Sequence, residues 1–233
     1  MAPFKGDRTV RARSILSIAL ATGLLAYTVP GQAAQIFTDS FEDPQNTRNW
    51  QVYQSFDNWT ATSGSGIEVQ QSGTVGGVSA HDGNQYVELD SDTQRNEATN
   101  PPTNTNSSMT RRVTLGAGSY ALSFYYLPRT STENDNKIEV FVDGQNETLQ
   151  TNMIGSISDT RPPVNDWMPV SYRFSVDGSD NDYGITFAAA GIENELGGFV
   201  DSVSLNKVPV PASLGLLGMG LVGLGLWGRR RAA

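Results

Sequence analysis

The stretch Ser119-Tyr120-Ala121-Leu122-Ser123-Phe124-Tyr125-Tyr126-Leu127 decides the fold class. Tyr120, Leu122, Phe124 and Tyr126 recur at every second residue, so an extended chain places all four on one face. A helix would scatter them around its circumference. The alternation returns downstream in Ile138, Val140 and Val142, which end at the turn Asp143-Gly144. It returns again in Val170, Tyr172, Phe174 and Val176 before Asp177-Gly178, in Ile185, Phe187 and Ala189, and in Phe199, Val203 and Leu205. Upstream, shorter candidates cover 36–41, 50–56, 67–70, 85–90 and 108–115. Short strands with turn signals between them, and no helical period, predict an all-β sandwich, most simply a jelly roll.

Composition narrows the function classes. The 233 residues are 17% charged and contain no cysteine, which excludes a disulfide framework, a thiol nucleophile and Cys-ligated zinc. The net charge of −8 conceals a split, because Lys5, Arg8, Arg11 and Arg13 cluster at one end and Arg229, Arg230 and Arg231 at the other. The stretch between is far more acidic than the whole. Such a body repels phosphate backbones, so no nucleic acid partner is expected.

Residues 1–33 read as a secretory signal peptide: a basic start, an apolar run from Ile15 to Val29, then Pro30-Gly31-Gln32-Ala33-Ala34 with small residues at the cleavage position. The expected mature body, 34–207, forms one β-sandwich domain. Its richest loop, 92–108, is an insertion dense in Asn, Thr and Pro. The tail, 208–233, opens with Val208-Pro209-Val210-Pro211-Ala212-Ser213. Proline cannot donate to a ladder, so the strand stops there. Ala212 to Gly228 then carries no charge over 17 residues, about 25 Å as a helix against about 30 Å of hydrocarbon, before the three arginines. Those arginines favour a cytoplasmic end.

This tail resembles the PEP-CTERM sorting signal, on Val208, Pro209, Pro211, the Gly/Leu span and Arg229, Arg230 and Arg231. It departs at Val210, where the name-giving motif has Glu. The resemblance implies processing by an exosortase, transient residence of a transmembrane helix in the inner membrane, and release to the cell surface or extracellular matrix. The body is similar to galactose-binding-like jelly rolls, including calcium-containing carbohydrate-binding modules. The residues that carry this are Asp39-Ser40-Phe41-Glu42, Trp50 and Trp59, then His81-Asp82-Gly83-Asn84-Gln85-Tyr86-Val87-Glu88-Leu89, and Gly198-Phe199-Val200-Asp201-Ser202-Val203-Ser204-Leu205.

That resemblance implies a structural Ca2+ site made by Glu42, the middle loop with Asp82, and Asp201. The residues themselves are compatible with it. Asp201 shares parity with Phe199, Val203 and Leu205, which points it toward the core, and a carboxylate there requires a cation or hydrogen bonds. The alternative is that Asp201 caps a turn and Glu42 is solvated. For sugar binding, which uses aromatic faces and planar polar groups, the candidates are Tyr125 and Tyr86, both off the core parity of their strands. Arg129 lies beyond Tyr125, and Trp59 is expected on the loop Asp57-Asn58-Trp59-Thr60. Trp50 and Trp167 are expected to plug the ends of the core.

The only histidine is His81, beside the turn Asp82-Gly83. A Ser–His–Asp site would have to use it, and no carboxylate pair stands in a recognisable motif, so no enzyme is expected. The expectation is an exported, non-catalytic surface or matrix protein whose jelly roll binds exopolysaccharide. The alternative is a structural matrix protein acting through protein contacts or self-association.

Overall fold

Among the described residues thirteen strands run between Ala34 and Val208: β1 (Ala34–Asp39), β2 (Trp50–Tyr53), β3 (Ser55–Phe56), β4 (Trp59–Ser63), β5 (Ile67–Gln71), β6 (Gln85–Glu88), β7 (Ser108–Thr114), β8 (Gly118–Leu127), β9 (Ile138–Gly144), β10 (Met153–Ile157), β11 (Met168–Val176), β12 (Asp182–Ala189) and β13 (Phe199–Val208). The structure, a computed structural model, describes residues 33–93, 104–160 and 165–209. The leader through Gln32 and the tail from Val210 onward, including the arginine cluster, lie outside the described residues.

The strands form two antiparallel sheets. One runs β11-β8-β13-β6-β5-β2 with β1 added on β13, and the other runs β10-β9-β12-β7-β4-β3. No helix occurs among the described residues. The molecule is thus the expected all-β sandwich. Tyr120, Leu122, Phe124 and Tyr126 are buried on one face of β8, as their alternation requires, and pack against Ile138, Val140, Ile185 and Phe187 of the opposite sheet. Two strands escape the periodic pattern, β4 and β10. Trp59 is not on a loop: it begins β4 and is wholly buried, its ring edge-on to Phe37 and Phe187. Its indole N–H donates to Asp39 Oδ2 at 2.9 Å, which satisfies the one polar atom that burial would otherwise strand.

The central strand β13 changes parity partway. Its register slips between Asp201 and Ser204, and Ser202 adopts a positive φ of 50°. Such a bulge inserts one residue and turns the following side chains to the other face. Val203 and Leu205 therefore enter the core, whereas Phe199 joins a small cluster on the outer face with Val78, Tyr86 and Leu127. Asp201 is fully buried but on this outer side, not toward the core. The same slip divides one flank of β13: Phe199 and Val200 pair with β6, and Val203 to Lys207 pair with β1. The first and last strands lie side by side, as a jelly roll predicts.

Candidate functional site

Outward-facing residues of β5 and β6 build the site. Ile67 and Val69 point into the core, so period two sends Glu68 and Gln70 to the other face; Val87 and Leu89 do the same for Tyr86 and Glu88. Register places Glu68 opposite Glu88, and sets Trp50, Gln70 and Tyr86 in one row across three strands. Glu68 is 4% exposed and Glu88 not at all, because the connections after β5 and before β13 fold over this face.

Two like charges directly opposite in a sheet repel, and here a cation and an amide hold them. Arg129 Nη1 lies 2.6 Å from both Glu88 carboxylate oxygens and 2.7 Å from the Glu195 carbonyl. Gln70 Nε2 donates to Glu68 Oε1 at 2.8 Å and to Glu88 Oε2 at 2.5 Å. The backbone N–H of Asp92 donates to Glu68 Oε2, and that of Gly197 to Glu88 Oε1. Arg129 itself is set by Asn136, whose Oδ1 accepts the N–H groups of Arg129 and Thr130.

Burial raises the Glu68 carboxyl to about 7, only partly countered by its hydrogen bond from Asp92 and by Arg129. Burial, then the charge of Glu68, pushes Glu88 well above the usual range. For Arg129, burial works against the charged form, yet Glu88 and Glu68 outweigh it and the guanidinium is held more firmly.

Over this group opens a cleft of about 470 Å³, lined by Trp50, Thr74 to Gly76, Asp92 and Asn194 to Leu196, with Arg129, Glu68 and Gln70 also contributing to its lining. An aromatic side chain and planar polar groups lining one cleft suit a polyhydroxylated ligand. Of the residues singled out for sugar contact, only Arg129 belongs to it. Trp59 is in the core. Tyr86 does face outward, but it is completely covered by Phe199 and Trp167, and its hydroxyl reaches Gln70 Oε1 at 3.4 Å. Tyr125 also faces outward, yet the His81 ring is stacked on it at 3.4 Å, so one ring face is already taken. Trp50 and Trp167 stand outside the main core rather than plugging its ends.

Glu42, Asp82 and Asp201 do converge, at the split in β13. Glu42 Oε1 accepts the N–H groups of Asn84 and Gln85 at 2.7 and 2.6 Å, and its Oε2 accepts Gln45 Nε2. Asp201 Oδ2 accepts the N–H groups of His81 and Asp82, and Oδ1 that of Ser202. These carboxylates cap backbone N–H groups that have no neighbouring strand. That is the turn-capping alternative for Asp201, and it is a donor-lined arrangement that does not fit a cation at these oxygens. Burial raises the Asp201 carboxyl to about 7 despite the three N–H donors. Among the described residues no group of three or more His, Asp or Glu is placed to hold a metal ion.

No protein-family model matches the chain, and no curated protein is similar to it. Solved structures do share its architecture. The K3 cleaved adhesin domain of Lys-gingipain from Porphyromonas gingivalis W83 is 11% identical, with a TM-score of 0.51 over 76% of this chain and all of that one. A cyclase from Fischerella sp. TAU is 13% identical, with a TM-score of 0.52 over 77% of this chain and 99% of that one. The CBM22-1 xylan-binding domain from Paenibacillus barcinonensis Xyn10C matches more loosely, at 11% identity and a TM-score of 0.45 over 76% and 97% of the two chains. At such identities the likeness shows the β-sandwich fold alone.

Proposed function

We propose that this is an exported, non-catalytic surface or matrix protein whose sandwich binds polysaccharide in the cleft between Trp50 and the Asn194–Leu196 segment. The leader-like start and the PEP-CTERM-like tail support export, with exosortase and the inner membrane as transient partners. The observation that carries the binding reading is the cleft itself: Trp50, Arg129 and Asn194 line one cleft whose volume is in the usual range for ligand sites. Binding fits this group better than hydrolysis, because every oxygen of Glu68 and Glu88 is engaged by a protein donor.

The test is retention of the purified protein on immobilised acidic and neutral polysaccharides. Retention on one class, reduced at least tenfold by Trp50→Ala while the fold persists, is the expected result. Equal retention by Trp50→Ala removes the cleft as the site. No retention on any polysaccharide, with concentration-dependent self-association, would instead establish the structural matrix protein.

A further inference from the structure

Three buried side-chain polar atoms lack a hydrogen-bond partner among the described residues: Asp90 Oδ1, Thr105 Oγ1 and Asn106 Oδ1. All are oxygens, and all belong to one place in the fold. Asp90 and Asn106 form an isolated antiparallel bridge. The flanking bonds run from Ser91 N–H to the Thr105 carbonyl and from Ser107 N–H to the Leu89 carbonyl. That pattern makes Asp90 and Asn106 a non-hydrogen-bonded pair, the kind in which Cα atoms approach to about 4.5 Å and side chains lie closest. The Asn106 amide cannot turn to offer its N–H2 to Asp90, because Nδ2 already donates to the Gly191 carbonyl at 2.8 Å.

Asp90 is completely buried and has no ion-pair partner among the described residues. Its Oδ2 accepts the N–H groups of Asn194 and Leu196, at 3.2 and 3.0 Å. Its Oδ1 has no donor among the described residues. Two bare acceptors on such a closely spaced pair call for an electropositive group between them; a water would donate to both, and a cation would in addition offset the buried carboxylate, which has no ion pair among the described residues. A second buried carboxylate, Asp135, stands one residue away, joined through Asn194 Nδ2 at 2.7 Å.

We propose that Asp90 Oδ1 and Asn106 Oδ1 are ligands of a hard divalent cation of the calcium class, at a site separate from the Glu42–Asp201 group. Calcium takes carboxylate, amide and hydroxyl oxygens together and accepts irregular geometry. The site also underlies one wall of the cleft. The connection from β12 to β13 closes directly on Asp90, since a Cβ at Gly197 would come within 2.6 Å of the Asp90 Cβ. That connection carries Asn194 to Leu196. An occupied site fixes the segment, and only this consequence rests on the binding reading above.

The experiment uses the purified protein, stripped with a chelator, dialysed, and melted with and without calcium chloride at about 10 mM, well above the dissociation constants of extracellular calcium modules. Calcium should raise the melting temperature by about 5–10 °C, and equilibrium dialysis should find one bound ion per chain. Asp90→Asn should melt cooperatively without the calcium response. Asn106→Asp, which adds a second carboxylate, should lower the half-saturating calcium concentration at least tenfold. Glu42→Gln should keep the full response. No rise in the parent, an undiminished rise in Asp90→Asn, or loss of the rise in Glu42→Gln would overturn the assignment. If Asp90→Asn does not fold, an unchanged half-saturation in Asn106→Asp overturns it. A calcium response without polysaccharide retention refutes the binding function and leaves the cation site standing; retention without a calcium response does the reverse.

Discussion

Glu68 and Glu88 face each other across β5 and β6 and share a single amide donor, Gln70 Nε2. Burial raises both carboxyls, and the charge of Glu68 adds to it for Glu88, so this pair makes the outer face of the sheet sensitive to pH.

The fold should be more stable at pH 5 than at pH 8. Glu68 is raised from 4.5 to about 7 in the folded state, so between those values the native protein holds a proton that the unfolded chain has lost. The stabilisation is complete below about pH 4.5 and disappears as pH rises through 7; Glu88 and Asp201 act in the same direction. Thermal melts across this range should show a falling midpoint, and Glu68→Gln should flatten part of the slope. A profile unchanged in that variant would show that Glu68 is ordinary.

Arg129→Met should destabilise by about 3–5 kcal/mol, because it leaves Glu88 buried without its cation. Combining it with Glu88→Gln should recover a large part of the loss in a chemical-denaturation cycle. Strict additivity of the two changes would deny the coupling.

The two tryptophans nearest in sequence should separate by role. Trp59→Ala should cost about 3–5 kcal/mol through the cavity it leaves. Trp50→Ala, at the cleft wall, should cost under about 1 kcal/mol and be felt in polysaccharide retention. Reversed effects in denaturation would mean that Trp50 is the structural residue.

Gly197→Ala should lower both stability and retention, since the added methyl runs into Asp90 and displaces the Asn194–Leu196 wall. A loss of about 1–3 kcal/mol is expected on denaturation. A variant as stable as the parent would show that the segment has room to move.

Alternation in β8, β9, β11 and β12 made the sandwich legible from the residues, because each strand keeps one parity from end to end. Asp201 was misplaced for the opposite reason: the bulge at Ser202 breaks the period, and nothing in Val200-Asp201-Ser202-Val203 announces it. Trp59 looked like a loop residue because Asp57-Asn58 precedes it, yet that turn only joins β3 to β4. The cleft had a partial signal. Glu68, Gln70, Tyr86 and Glu88 all alternate with core residues, which puts them on the outer face. What strand parity could not show is that the connections after β5 and before β13 fold back to bury that face, since this depends on contacts between segments far apart in sequence.

The central place of β13 has a mechanical side. From Ser204 to Lys207 it is bonded on both flanks, to β8 and to β1. A pull on the chain beyond Val208 acts along these ladders, so many bonds must slide together before any one gives way. A pull between Ala34 and Lys207, which are paired neighbours, would instead peel β1 away one rung at a time. Held from its last strand alone, the sandwich resists load in shear; stretched between its two ends, it unzips.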